Sequence, residues 1–110
     1  MTDISKPMEQ FFGAIKETDI YLEYEKQKER IKAYPDLKQR IDQYRQQNYE
    51  IQNKTDPDQL FDRIDAFQKE YEDFREIPLV HDFLAAELAY CRMIQQINEQ
   101  IKKEFAIDFE

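Results

Sequence analysis

The sequence predicts an all-α protein of about five helices, with a long C-terminal helix and a helical-hairpin or bundle architecture. Three observations favour this fold class. Only one glycine and four prolines occur in 110 residues, which leaves little material for tight β-turns. Apolar residues make up 41% and charged residues 36% of the chain, a mixture that amphipathic helices accommodate. The apolar residues also recur at spacings of three and four, which is the helical period.

The first two helices are predicted from the amino-terminal third of the chain. Residues 4–16 carry one apolar face, formed by Met8, Phe11, Phe12 and Ile15. Thr18 or Asp19 can cap a second helix. Gln27 interrupts the apolar stripe of that helix, which consists of Ile20, Tyr24 and Ile31. Pro35 then ends the helix, because a residue that precedes proline avoids the α region.

The third and fourth helices share a heptad-like rhythm. The third has seam positions at alternating spacings of four and three: Leu37, Ile41, Tyr44, Asn48 and Ile51. We interpret residues 55–57, Thr-Asp-Pro, as a cap followed by proline at the start of the fourth helix. The seam of the fourth helix consists of Leu60, Ile64, Phe67, Tyr71 and Phe74. Each seam is too short for an autonomous coiled coil, so both helices need a partner surface.

The last predicted helix runs from about Pro78 to Phe105, a length on the order of 40 Å at 1.5 Å per residue. Its apolar stripe is broad enough to contact helices on two sides. The stripe consists of Val80, Phe83, Leu84, Leu88, Cys91, Ile94, Ile97, Ile101 and Phe105. Cys91 is predicted to be a buried small hydrophobe rather than a redox or metal site. Glu87 marks either the edge of the stripe or a position with a polar partner. We expect residues 1–110 to form a single helical domain.

Charge and cysteine content exclude several classes of protein. The formal charge of −8 argues against direct nucleic-acid binding, which depends on phosphate neutralisation. We expect a protein that is not inserted in a membrane, since no apolar run approaches the roughly 20 residues of a spanning helix. The amino-terminal residues also lack the pattern of a signal peptide. A single cysteine rules out an internal disulfide, and we expect a cytoplasmic location.

Basic residues are concentrated between residues 26 and 40, whereas residues 56–76 are dominated by Asp and Glu. Two interpretations stay open for these charges. They are either solvated helix faces or a docking patch for an acidic partner. The candidate partner-binding residues are Lys26, Lys28, Arg30, Lys32, Lys38 and Arg40.

We predict no catalytic, metal-binding or cofactor-binding residues. A di-iron or di-manganese bundle needs two Glu-x-x-His motifs, whereas the only histidine is His81 and Pro78 lies three residues before it. The carboxylate pairs at helical spacing, Asp62 with Asp65 and Glu70 with Asp73, are interpreted as a solvated face. Eight Phe and seven Tyr favour a dimer, because aromatic residues are enriched at interfaces. Filling a monomer core is the alternative.

The order of these elements resembles the YlbF/YmcA family of small bacterial helical proteins. The closest stretches are residues 18–48, TDIYLEYEKQKERIKAYPDLKQRIDQYRQQN, and residues 78–105, PLVHDFLAAELAYCRMIQQINEQIKKEF. The second stretch has a short apolar entry, an Ala-Glu pair and then spaced aliphatic residues. Some members of the family have a cysteine-rich carboxy-terminal tail implicated in iron–sulfur binding. Residues 106–110 contain no cysteine, and we expect no cofactor.

The resemblance implies a non-enzymatic regulatory protein that forms a homodimer or hetero-oligomer. It also implies sister family proteins and the membrane-anchored ribonuclease RNase Y as partners, with effects on mRNA processing and developmental states. The alternative is a structural helical subunit or chaperone-like adaptor without an RNase Y role. An enzyme would require a pocket lined by carboxylates with shifted pKa values.

Overall fold

The computed structural model describes residues 3–106. In this part of the chain there are six helices and no strand. They are α1 (Ser5–Lys16), α2 (Asp19–Lys32), α3 (Pro35–Lys54), α4 (Leu60–Glu70), α5 (Glu72–Glu76) and α6 (Pro78–Phe105). The predicted all-α fold class, with its long carboxy-terminal helix, is confirmed. Residues 107–110, which contain no cysteine, lie outside the described residues.

The described chain divides into two compact units. Unit 1 comprises residues 3–28 and 84–106, and unit 2 comprises Glu29–Phe83. The division falls within α2 and within α6, so each of these helices contributes residues to both units. The single domain over residues 1–110 stays a prediction.

Two predicted helix starts agree closely with the structure. Thr18 caps α2, because its Oγ1 accepts a hydrogen bond from the backbone N–H of Tyr21 at 3.1 Å. The same hydroxyl donates to the carbonyl of Ile15 at 2.7 Å, which ties the end of α1 to the start of α2. Pro35 occupies the first turn of α3, where a missing backbone N–H costs nothing.

The fourth predicted helix differs from the structure at two places. Residues 57–59 form a turn, in which the N–H of Gln59 donates to the carbonyl of Asp56 at 3.0 Å, so Pro57 precedes α4 instead of opening it. Tyr71 then separates α4 from the short α5, with φ −101° and ψ 11°. A seam at regular spacing cannot reveal such a one-residue interruption, because the helical phase continues across it.

Unit 2 has an apolar core of its own. Helix α3 packs against α4 as a hairpin, and both predicted seams supply buried residues. The buried apolar residues of this unit are Ile31, Ile41, Ile51, Phe67, Phe74, Val80 and Phe83. The ring of Tyr44 lies at the centre of an aromatic cluster, 5.1 Å from Phe67, 5.2 Å from Tyr71 and 6.2 Å from Phe74 between centroids. The predicted seams therefore do face each other.

Unit 1 contains a tyrosine stack between α2 and α6 and a buried polar side chain on α2. The ring of Tyr90 on α6 stacks on Tyr24 of α2 at 4.7 Å and lies 6.1 Å from Tyr21. Gln27, which interrupts the α2 stripe, is 2% exposed, and its amide donates to Glu23 Oε1 at 3.0 Å. A buried amide needs such a partner, so the interruption is part of the packing.

The prediction that Cys91 is buried is wrong, because its side chain is exposed. The inner face of α6 in unit 1 carries Ala86, Tyr90, Met93 and Ile97, which are buried or half-buried. These positions follow each other at spacings of four and three. Cys91 comes one residue after Tyr90 and so lies about 100° around the helix from it. Glu87 is half-buried, which is compatible with both predicted roles, the edge of the stripe and a position with a polar partner.

Candidate protein-interaction surface

The exposed apolar residues are concentrated in unit 1. Among the described residues, twelve large hydrophobic side chains are exposed, and nine of them belong to unit 1. The nine are Ile4, Met8, Phe11, Phe12, Ile20, Leu22, Leu88, Ile101 and Phe105. The only buried apolar residue described in this unit is Ala86, against seven in unit 2. Unit 1 therefore has apolar stripes but almost no core of its own.

Helix α1 shows this imbalance most clearly, since none of its described residues is buried. Met8, Phe11 and Phe12 are 43%, 45% and 48% exposed, although they form the apolar face predicted from the sequence. Helices of this length depend on the packing of such a face for most of their stability. The uncovered face of α1 is thus the first part of a candidate interaction surface.

A groove beside α1 is the second part. Its volume is about 610 Å³, and it is lined by Phe11 together with a row of residues on α6. The apolar members of the row are Met93, Ile97, Ile101 and Phe105, and its polar members are Gln96, Gln100 and Glu104. A mostly apolar groove with a polar rim is the form that protein-binding sites take. We call Ile4, Met8, Phe11, Phe12, Met93, Ile97, Ile101 and Phe105 the α1/α6 surface.

A second groove, of about 480 Å³, lies in unit 2 between α3 and α4. Its floor includes Ile51 and Phe67, and its rim carries both cations and carboxylates. The charged residues are Glu50, Lys54, Arg63 and Glu70. It contains no histidine or cysteine, so it offers no thiol or imidazole for nucleophilic or acid–base chemistry.

The six predicted docking cations do not fall in one unit. Lys26 and Lys28 belong to unit 1, and the other four belong to unit 2. Lys28 Nζ lies 2.8 Å from Glu25 and 5.0 Å from the centre of the Tyr24 ring. The hydrogen bond to Glu25 raises the pKa of Lys28 above its usual value. Lys26 is exposed and has no ion pair among residues 3–106.

Each of the four predicted docking cations in unit 2 has a partner within the unit. Their partners are Asp82 for Arg30 at 3.4 Å, Glu29 for Lys32 at 2.8 Å, Asp42 for Lys38 at 3.6 Å, and the ring of Phe74 for Arg40 at 4.5 Å. Asp42 also accepts a hydrogen bond from Arg45, which is the main reason why the pKa of Asp42 is lowered. Exposed pairs of this kind typically contribute about 0–1 kcal/mol, so a partner can displace them at little cost. The docking patch stays a prediction.

Side chains of the types that serve catalysis or metal binding in other proteins lie apart from one another among residues 3–106. Asp62, Asp65, Glu70 and Asp73 are all exposed. His81 is exposed as well, with its Nδ1 3.5 Å from Asp82 Oδ1. No set of three or more His, Cys, Asp or Glu side chains among residues 3–106 is arranged to hold a metal ion. Within the same residues, no helix has the length and apolar content that a bilayer crossing requires.

The sequence of the chain matches one protein family over nearly its whole length. The family described as "Control of competence regulator ComK, YlbF/YmcA" matches residues 4–105, nearly the whole chain. The chain belongs to the YlbF/YmcA family. No curated protein and no solved structure matched the chain. The predicted YlbF/YmcA resemblance is therefore confirmed, and the family is described by a regulatory role in competence rather than by a reaction.

The one glycine of the chain, Gly13, lies inside α1. A Cβ built on Gly13 meets no other atom within 4 Å, and its φ is not positive. We therefore expect Gly13→Ala to stabilise α1 by about 0.5–1 kcal/mol, because alanine loses less backbone entropy in a helix. Urea unfolding followed by circular dichroism measures this gain. A loss of stability would mean that something outside this chain packs closely over Gly13.

Proposed function

We propose that this YlbF/YmcA protein is a non-catalytic regulator that acts by binding other proteins in the cytoplasm. The observation that carries the proposal is the uncovered α1/α6 surface in a unit whose only described buried apolar residue is Ala86. Soluble proteins rarely leave contiguous apolar patches larger than a few hundred Å² exposed unless the patch is an interaction site. The family's regulatory description supports the same reading.

The proposed partners are sister proteins of the family and RNase Y, with an effect on mRNA processing and developmental states. These partners come from the family resemblance. The alternative role, a structural subunit or chaperone-like adaptor, would use the same apolar surface with less discrimination among partners. Specificity of binding therefore separates the two roles.

Capture by the purified, immobilised full chain tests the proposal. We expect it to bind the purified cytoplasmic region of RNase Y, a sister family protein, or a complex of the two. An unrelated helical protein and a chemically unfolded protein serve as controls. Equal capture of the unfolded control would favour the adaptor role, and no capture of either proposed partner would end the regulatory proposal.

The predicted docking cations add a kinetic expectation to this experiment. Lys28→Glu with Lys32→Glu removes two ion pairs at i, i+3 spacing and should slow association at low salt by about tenfold. The effect should vanish at high salt, because screening removes long-range attraction.

Lys54→Glu with Lys69→Glu is the matched control, since it changes the net charge by the same amount at exposed positions outside the cluster. Circular dichroism should show that both double variants keep their helices, with losses of a few tenths of a kcal/mol for each new like-charge pair. Equal association rates for the two double variants would show that Lys28 and Lys32 belong to an ordinary solvated helix face and not to a docking patch.

A further inference from the structure

We propose that the groove between α3 and α4 binds a small linear zwitterion, an apolar chain with a carboxylate at one end and an ammonium group at the other. The groove lies in unit 2, whereas the α1/α6 surface lies in unit 1. The inference therefore goes beyond the proposed function and does not depend on it. Three properties of the groove support this ligand: the order of its charges, their availability and the size and floor of the groove.

The register of the α3–α4 hairpin orders the residues of the groove. The hydroxyl of Tyr71 donates a hydrogen bond to Gln47 Oε1 at 2.9 Å, so the middle of α3 lies beside the end of α4. The two helices run in opposite directions from this point, because only residues 55–59 connect them. Lys54, the last residue of α3, therefore lies beside the first turn of α4.

The charges of the groove are separated by sign along this axis. Glu50 and Glu70 lie in the half near Gln47, and Lys54 and Arg63 lie in the half near the connection. Arg63 and Glu70 are seven residues apart on α4, which is about 10 Å along the helix. A molecule with opposite charges about 10 Å apart thus matches the groove, whereas a long anion or a long cation meets a like charge at one end.

These charged groups are available to a ligand. Lys54, Arg63 and Glu70 are exposed, and they form no ion pair among residues 3–106. Glu50 accepts a hydrogen bond from Gln46 Nε2 at 3.0 Å, which uses only part of the acceptor capacity of its carboxylate. A ligand therefore binds these groups without first breaking an ion pair.

The size and the floor of the groove fit a small molecule. Its volume of about 480 Å³ is within the range of roughly 300–1,000 Å³ that small-molecule pockets have. Its large apolar residues, Ile51 and Phe67, are only 9% and 3% exposed. A protein interface relies on exposed apolar anchors, and these two residues offer none. A small ligand needs only an apolar floor on which its own methylene groups leave water.

Titration of the full chain with ω-aminooctanoate, followed by amide proton–nitrogen correlation spectra, tests the inference. This zwitterion spans about 10 Å from its nitrogen to its carboxyl carbon when it is extended. We expect the amides of residues 47–55 and 63–70 to shift, with a dissociation constant on the order of 1 mM. γ-Aminobutyrate, whose charges are only about 5 Å apart, should bind about fivefold more weakly, because it reaches the charges of one end only.

Two neutral variants test the orientation of the ligand. Arg63→Gln removes a partner of the carboxylate and should weaken both ω-aminooctanoate and octanoate by about threefold. Glu70→Gln removes a partner of the ammonium group and should weaken ω-aminooctanoate by about the same factor, but not octanoate. Glutamine is a good helix former, so both variants keep α4. The matched controls, Arg92→Gln and Glu76→Gln, change exposed residues outside the groove and should leave both affinities unchanged.

The outcomes decide between this site and its alternatives. Shifts confined to the groove, with octanoate affinity lowered by Arg63→Gln but not by Glu70→Gln, support the inference. No saturation at about twenty times the expected dissociation constant overturns it. Equal wild-type affinity for octanoate and ω-aminooctanoate overturns it as well, and so do shifts centred on the α1/α6 surface. No zwitterion is present in the partner-capture experiment, so Lys54→Glu remains a control there and the two proposals fail independently.

Discussion

Replacing Phe67 by alanine is expected to lower the free energy of unfolding by about 4 kcal/mol. Phe67 is 3% exposed, and its ring lies 5.1 Å from Tyr44 and 4.9 Å from Tyr71. The variant leaves a cavity in the aromatic cluster that joins α3 to α4. The surrounding rings are large and close only part of such a cavity, so the loss exceeds the transfer free energy of the side chain alone.

Phe61→Ala is the control for this prediction. Phe61 lies on the same helix but is 81% exposed, so its replacement should change stability by no more than about 0.5 kcal/mol. Urea unfolding at a fixed protein concentration, monitored by circular dichroism, measures both variants. Equal losses at the two positions would contradict the core described for unit 2.

Replacing Tyr90 by alanine is expected to lower the free energy of unfolding by about 3 kcal/mol, which is the second largest effect. Its ring stacks on Tyr24 with an interplanar angle of 14° and also contacts Tyr21. Aromatic pairs contribute about 0.5–1.5 kcal/mol each beyond the area that they bury. Ala86 is the only buried apolar residue described in this unit, so the loss of the Tyr90 ring is not offset by a surrounding apolar core.

Tyr90→Phe separates the role of the ring from that of the hydroxyl. This variant keeps the stacked ring, so we expect its free energy of unfolding to fall by less than about 1 kcal/mol. Both variants are compared with the wild type by urea unfolding at one protein concentration. If Tyr90→Phe lost as much as Tyr90→Ala, the hydroxyl and not the stack would hold α2 to α6.

Local signals account for the features that the sequence predicted well. Thr18 and Pro35 fix helix starts through a side-chain hydrogen bond and a locked φ angle. Ile41 and Phe67 mark seams whose periodicity sets the buried face. These effects act over a few residues and are therefore visible in a single chain.

Features that depend on what covers a face were not predictable. The periodicity of Met8, Phe11 and Phe12 identifies an apolar face on α1 but not whether another segment of the chain lies over it. Cys91 was misplaced because a broad stripe does not reveal which of its edges faces the neighbouring helix. The spacing of the apolar residues likewise does not reveal the break in the helix at Tyr71.

The predicted docking cations show a different limit. A sequence displays the local charge of a segment but not which charges are already paired. The i, i+3 spacing of Glu25 with Lys28 and of Glu29 with Lys32 was visible in the chain, and the structure contains both pairs. Glu and Lys residues at this spacing form pairs that compete with a binding partner for the lysine.

Unit 1 is assembled from two segments that are far apart in the sequence, with the whole of Glu29–Phe83 between them. Its tyrosine stack is therefore a non-local contact, whereas the α3–α4 hairpin of unit 2 is local. Closing a long loop costs entropy before the contact repays it, and such contacts slow folding. During synthesis, α1 and the start of α2 leave the ribosome long before residues 84–106 exist. Until then the apolar face of α1 lacks even the partial contact that α6 gives Phe11, and exposed apolar surface of this kind favours aggregation.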